Sequence, residues 1–189
     1  GNTVTINGVG TTQITINQAA DANFSTASKT ITLNVVKAVP IITTSPTIIN
    51  KIFGDPDFNL TATSSSTGLF SYTISDTLFA SVSGNTVTIA GVGTTTILIN
   101  QSSDNNYNIG VSSITLIVNK ADPIIYSPDV TKTYGDLDFS ISLTSSSTGS
   151  FNYSTLSSGV VSITNTGNVS IIGVGSVVVS ATQIQDINH

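Results

Sequence analysis

The side chains able to do chemistry in this chain are few, and the acidic ones are all aspartates: ten Asp and no Glu. Two pairs stand out, Asp55 with Asp57 and Asp136 with Asp138, each following a glycine in Gly54-Asp55-Pro56-Asp57 and Gly135-Asp136-Leu137-Asp138. Residues two apart on an extended segment project to the same side. Such a pair is a start toward the roughly six to eight oxygens that calcium takes, with carbonyls and Asp122 available to add more. The same residues serve equally well in a turn, where an aspartate after glycine satisfies nearby backbone amides. Without a substrate cleft they make no glycosidase dyad. The sole histidine is His189, so a Ser–His–Asp triad would hang from one exposed position. The expectation is therefore no catalytic residue and no cofactor, with calcium at Asp55, Asp57, Asp136 and Asp138 as the one metal candidate.

Other chemistry is thinner still. Glycan platforms are aromatic, yet Trp is absent, and Phe70/Tyr72 and Phe151/Tyr153 recur at matching strand positions, as core residues do. Thr-x-Thr strings such as Thr3-Val4-Thr5 and Thr86-Val87-Thr88 suit an ice-binding face, but threonine is simply a good strand former. An isopeptide crosslink would need an acid buried beside Lys51 or Lys120. Sequons at Asn23, Asn59, Asn100, Asn152 and Asn168 matter only where the source glycosylates them.

What organises these residues is repetition. GNTVTINGVGTT opens at Gly1, GNTVTIAGVGTT at Gly84, and GNVSIIGVG at Gly167, a period of 83 residues. KIFGDPDFNLTATSSSTGLFSY from Lys51 answers KTYGDLDFSISLTSSSTGSFNY from Lys132, and Lys37-Ala38-Val39-Pro40 recurs as Lys120-Ala121-Asp122-Pro123. An internal period has to be settled before any other feature. It divides the chain into 1–37, the last part of a unit; 38–120, a complete unit; and 121–189, a unit that stops before its final strand. This reads as an excerpt of a longer array, whose next-door partners are repeats of the same chain.

Composition narrows the function. The net charge of −5 argues against nucleic acid, whose phosphates need clustered cations, and no apolar run is long enough to insert in a membrane. Cys and Met are both absent, which leaves little for oxidants to damage. Thr, Val and Ile punctuated by Gly, Asn, Asp and Ser form strands, and there is no Glu or Arg with which helix surfaces are built. Between Pro40 and Lys120 apolar residues alternate in short runs: Ile41-Ile42 and Thr47–Ile49 around Pro46, then Phe58/Leu60/Ala62, 70–74, 79–82, 87–89, 95–99 and 113–118. About seven strands in about 80 residues is the pattern of an immunoglobulin-like β-sandwich. The expected fold is all-β, tandem sandwiches joined by linkers of about four residues that contain proline and cannot act as flexible coils.

Lys132–Phe139, the SGNTVTIAGVGTTTI stretch, the Gln-x-x-Asp-x-Asn-Tyr segment Gln101–Tyr107 and the closing Ile114–Ala121 together resemble bacterial immunoglobulin-like repeats of large surface proteins, close to MBG-type domains of Bacteroidetes. Gln18–Phe24 is the nearest match to that family's Gln-Ala-Gly-Asp-Ala-Asn-Tyr, and the third copy has His189 where an aromatic is expected. The resemblance implies an extracellular, non-enzymatic array, a stalk or spacer at the cell surface. Two alternatives go with it. One is a self-assembling filament in which copies of the chain complete one another's units by strand donation. The other is a glycan- or protein-binding adhesin module that uses turns such as Ser75-Asp76-Thr77 and Thr164-Asn165-Thr166.

Overall fold

The computed structural model describes residues 2–189, so that Gly1 of the first copy lies outside it. The protein is all-β, with eighteen strands in seven hydrogen-bonded sheets among the described residues. Among the described residues no helix is long and apolar enough to cross a membrane. By compactness the chain forms two units that cut across the repeat. The first runs through Ile49 and takes in Asp57–Thr88 and Thr94–Leu116; the second joins Asn50–Pro56 and Ile89–Gly93 to Ile117–His189.

The first copy supplies one hairpin, β1 (Gly10–Gln18) with β2 (Ala27–Val35), antiparallel with Ile14 opposite Ile31. The alternating sequence makes the strands, and their apolar face is largely open among the described residues: Ile16 is 53% exposed and Ile31 48%, while Ile14 and Leu33 are half-buried.

The complete copy contains β3 (Ile42–Thr44), β4 (Ile48–Ile52), β5 (Phe58–Asn59), β6 (Ala62–Ser64), β7 (Phe70–Ile74), β8 (Ala80–Ser83), β9 (Thr86–Ile89), β10 (Gly93–Gln101) and β11 (Gly110–Asn119). They form a sheet in the order β4-β11-β10-β7, another in the order β5-β9-β8, and the pair β3-β6. The run from Phe58 to Ala62 keeps one alternating pattern yet changes sheet on the way, β5 pairing with β9 and β6 with β3. Thr115 N–H donates to Thr47 O at 3.0 Å and Phe53 N–H to Asn119 O at 2.9 Å. Residue numbers rise together at both ends, so β4 and β11 run parallel, and β11 lies between β4 and β10. The core gathers on these strands: Ile97 and Ile99 of β10, Ile114, Leu116 and Val118 of β11, with Leu60, Ala80 and Val87. Burying each large side chain stabilises the fold by about 1.5–3 kcal/mol.

The third copy repeats part of this plan with β12 (Ile125–Tyr126), β13 (Phe139–Ser140), β14 (Thr144–Ser145), β15 (Phe151–Thr155), β16 (Val161–Ile163), β17 (Asn168–Ile171) and β18 (Val179–Gln183). Its sheets are β13-β17-β16, β12-β14 and β15-β18, counterparts of β5-β9-β8, β3-β6 and β7-β10. The segment aligned with β4 forms no strand. Pro128–Thr133, which aligns with Pro46–Ile52, forms no strand and is exposed throughout, and β18 is shorter than β10 at its start. A strand needs a neighbour for its backbone groups, and in the complete copy β11 is that neighbour for both β4 and β10.

Because the same sequence pattern is buried in one copy and exposed in another, matched substitutions should separate burial from identity. Ile99→Ala should cost about 2–5 kcal/mol of the complete copy's stability. Ile16→Ala, at the corresponding position of the exposed hairpin, should cost less than about 1 kcal/mol. Denaturant unfolding of the two variants checks this.

Candidate functional site

The polar side chains that recur in register and join segments distant in sequence are Gln101 and Asp104, with Gln183 and Asp186 in the third copy. Gln101 sits at the end of β10 with 2% exposure, and its Nε2 donates to Ser66 O at 3.1 Å and Gly68 O at 2.8 Å. Gln183 Nε2 donates likewise to Ser147 O at 3.2 Å and Gly149 O at 2.7 Å. These carbonyls belong to Thr-Ser-Ser-Ser-Thr-Gly, identical at 63–68 and 144–149. The glycine is forced by proximity. A Cβ on Gly68 would lie 1.8 Å from Ser102 O, and one on Gly149 would lie 1.7 Å from Ile184 O.

Three residues on, the aspartate carboxylate ties two distant segments together. Asp104 Oδ2 accepts from Ser66 Oγ at 2.9 Å, Thr67 N at 2.8 Å and Thr67 Oγ1 at 3.0 Å. Its Oδ1 accepts from Asn106 N at 2.8 Å and Tyr107 N at 2.7 Å. Asp186 does the same for Ser147, Thr148, Asn188 N and His189 N. Hydrogen bonds to the ionised form favour it. The amide of Thr67, then, against an opposing effect of desolvation, those of Asn106 and Tyr107 with the Ser66 hydroxyl, hold Asp104 well below the usual carboxylate range. Thr148 is the leading cause for Asp186. Asp21 keeps only the local half, Asn23 N and Phe24 N at 2.8 Å each, and is lowered by those two amides.

The loop so held meets the linker and the preceding copy. Within the first unit, Ala38 N donates to Asn106 O at 2.9 Å, Asn108 N donates to Ala38 O at 2.8 Å, and Lys37 Nζ donates to Asp104 O at 2.5 Å. Val9 N, from the Gly-Val-Gly turn of the first copy, donates to Asn106 Oδ1 at 3.2 Å. Within the second unit the pattern returns: Ala121 N to Asn188 O at 3.0 Å, Lys120 Nζ to Asp186 O, and Val92 N to Asn188 Oδ1 at 3.3 Å. One asparagine thus links the Gly-Val-Gly turn of one copy to the loop of the next.

Of the paired aspartates, Asp55, Asp136 and Asp138 accept hydrogen bonds within the chain. Asp55 Oδ2 accepts from Ile52 N and Asp136 Oδ2 from Thr133 N, each at 3.0 Å, closing turns around Gly54 and Gly135, whose φ values are 89° and 98°. Asp138 Oδ2 accepts from Ser170 Oγ at 2.7 Å. Among the described residues no three His, Cys, Asp or Glu side chains gather as a metal site. His189 is not the exposed residue that the sequence suggests. Its side chain is 11% exposed, its Nδ1 lies 3.2 Å from Asp186 Oδ1, and its ring meets Phe53 edge-on with centroids 5.7 Å apart. Phe70 and Tyr72 are half-buried neighbours, as are Phe151 and Tyr153. The Gln-x-x-Asp segment carried a family likeness in the sequence but no role. Its exact partner, a polar string repeated without a single change, was the available signal.

No family model matches the chain, and a search of curated proteins returns no match.

The lowered aspartates set an acid limit. A carboxyl whose folded pKa lies below its unfolded value of 3.8 adds stability that is fully present well above pH 3.8. That stability is lost as pH falls through 3.8 toward the folded value. Unfolding free energy should therefore be flat near neutrality and drop below about pH 5. Asp104→Asn should be less stable than wild type at pH 7, with the gap closing on acidification, and Asp21→Asn should show a much smaller gap. Urea titrations across pH check both.

Proposed function

We propose that the chain is a load-bearing spacer: tandem immunoglobulin-like β-sandwiches, similar to MBG-type repeats, from an extracellular bacterial surface or fibre protein, without enzymatic activity. The observation that carries this reading is the junction made twice in one pattern, by Val9, Ala38 and Asn106 and again by Val92, Ala121 and Asn188. A catalytic protein has no need to repeat a linkage between modules, whereas a spacer is made of such linkages. The all-β composition, the alternation of buried and exposed positions and the two multi-stranded sheets of the complete copy favour a sandwich.

The strand arrangement suits tension. Pulling at the linkers loads β4 from its start and β11 from its end, and because the two are parallel their hydrogen bonds are sheared together instead of opening one by one. The interior glutamine and aspartate fasten the loops at the pole where the preceding linker enters. Single-molecule stretching of the full chain tests this. The complete copy should unfold in one discrete event, releasing on the order of 250–300 Å of chain for about 80 residues. Gradual extension without such an event would contradict a load-bearing role.

A further inference from the structure

Asn7-Gly8 is the one asparagine–glycine step in the chain, and it opens the turn whose next amide, Val9 N–H, donates to Asn106 Oδ1 at 3.2 Å. We propose that this step is a self-modification site: Asn7 converts slowly to aspartate and isoaspartate, and the isoaspartate form releases the bond that Val9 makes across the junction. The place is a fixed feature of the repeat. In the complete copy the same position is Ala90, exposed and lying between the end of β9 at Ile89 and the start of β10 at Gly93. The third copy has Ile172 there, also exposed and just beyond β17. Alanine and isoleucine have no side-chain amide to lose, so of the three turns only the first carries this chemistry.

The reaction needs nothing beyond water. The Gly8 amide nitrogen gives up its proton to solvent and attacks Asn7 Cγ. A carbon–nitrogen bond forms, the side-chain amide leaves as ammonia, and a succinimide ring closes. Water then opens the ring at either carbonyl. Opening at the main-chain carbonyl gives isoaspartate, in which the chain runs through the former side chain and is one methylene longer. A following glycine favours closure, because it has no Cβ to crowd the attack and its backbone turns freely. Asn7 and Gly8 are exposed and precede β1, so no strand ladder holds their peptide extended. The turn lies against its acceptor: a Cβ on Gly8 would stand 3.6 Å from Asn106 Oδ1. The Val9 bond is already at the long end of the usual range, so a lengthened backbone two residues ahead of it breaks it. The new carboxylate adds repulsion toward the acceptor oxygen.

Ageing of the full chain at mildly alkaline pH tests this, with conversion followed by peptide mapping in a mass spectrometer and the junction by hydrogen exchange of the Val9 amide. Residue 7 should gain isoaspartate ahead of every other asparagine, and the converted fraction should lose the protection of Val9 N–H. Asn7→Ala installs the residue that the complete copy carries at that position, and it should keep Val9 protected through the same ageing. Gly8→Ala, whose added Cβ meets Asn106 Oδ1 at an ordinary contact distance, should slow conversion while leaving the Val9 bond in place. An Asn7 that converts no sooner than the other asparagines would overturn the site. A Val9 amide unprotected in fresh protein, or still protected after full conversion, would overturn its effect on the junction.

Discussion

One carboxylate, placed where two distant segments must meet, is the constraint on which each complete loop cluster depends. Asp104 accepts from Ser66, Thr67, Asn106 and Tyr107, and no neutral side chain has enough acceptor capacity on two oxygens to do so. It stands three residues beyond Gln101, which holds the carbonyls of the same serine-rich loop. Donors and acceptors of that loop are thus satisfied by one short segment, which allows an irregular stretch to lie against the core without leaving its polar groups unpaired. The exception is Gln101 Oε1, buried without a partner, where in the third copy Ser145 Oγ donates to Gln183 Oε1 at 2.7 Å.

The three copies make a comparison within one molecule. Asp21 has the local half of the network and still shapes the turn between β1 and β2, so that half is written in Asp-x-Asn-aromatic itself. The other half appears only where the serine-rich loop is present. In the same way β4 and the first half of β10 form in the complete copy, where β11 pairs with both. Local pattern proposes a strand, and a neighbour on its edge decides whether it forms.

Much of the fold was legible from residue order. Alternation located the strands of the complete copy, Pro46 separated β3 from β4, and Gly84, with φ of 59°, made the hairpin between β8 and β9. The change of sheet between Asn59 and Ala62 was not legible, because alternation reports which face a residue takes and not which strand lies beside it. Neither was the role of Gln101 and Asp104, whose partners in the serine-rich loop lie more than thirty residues away in sequence. His189 read as an exposed end; Phe53 and Asp186 enclose it. Asp55 and Asp136, singled out in the sequence as paired aspartates, each accept from a backbone amide of their own turn.

The junction between copies is built on the asparagine held by the aspartate loop, Asn106 in one case and Asn188 in the other. Because the chain has no cysteine, spin labels can be placed without background at Ala90→Cys and Ser162→Cys, two exposed positions of the second unit on either side of the Val92–Asn188 contact. Pulsed dipolar spectroscopy should give a single narrow distance distribution, broadened when Asn188→Ala removes the acceptor of the Val92 amide. A distribution already broad with Asn188 in place would contradict the account.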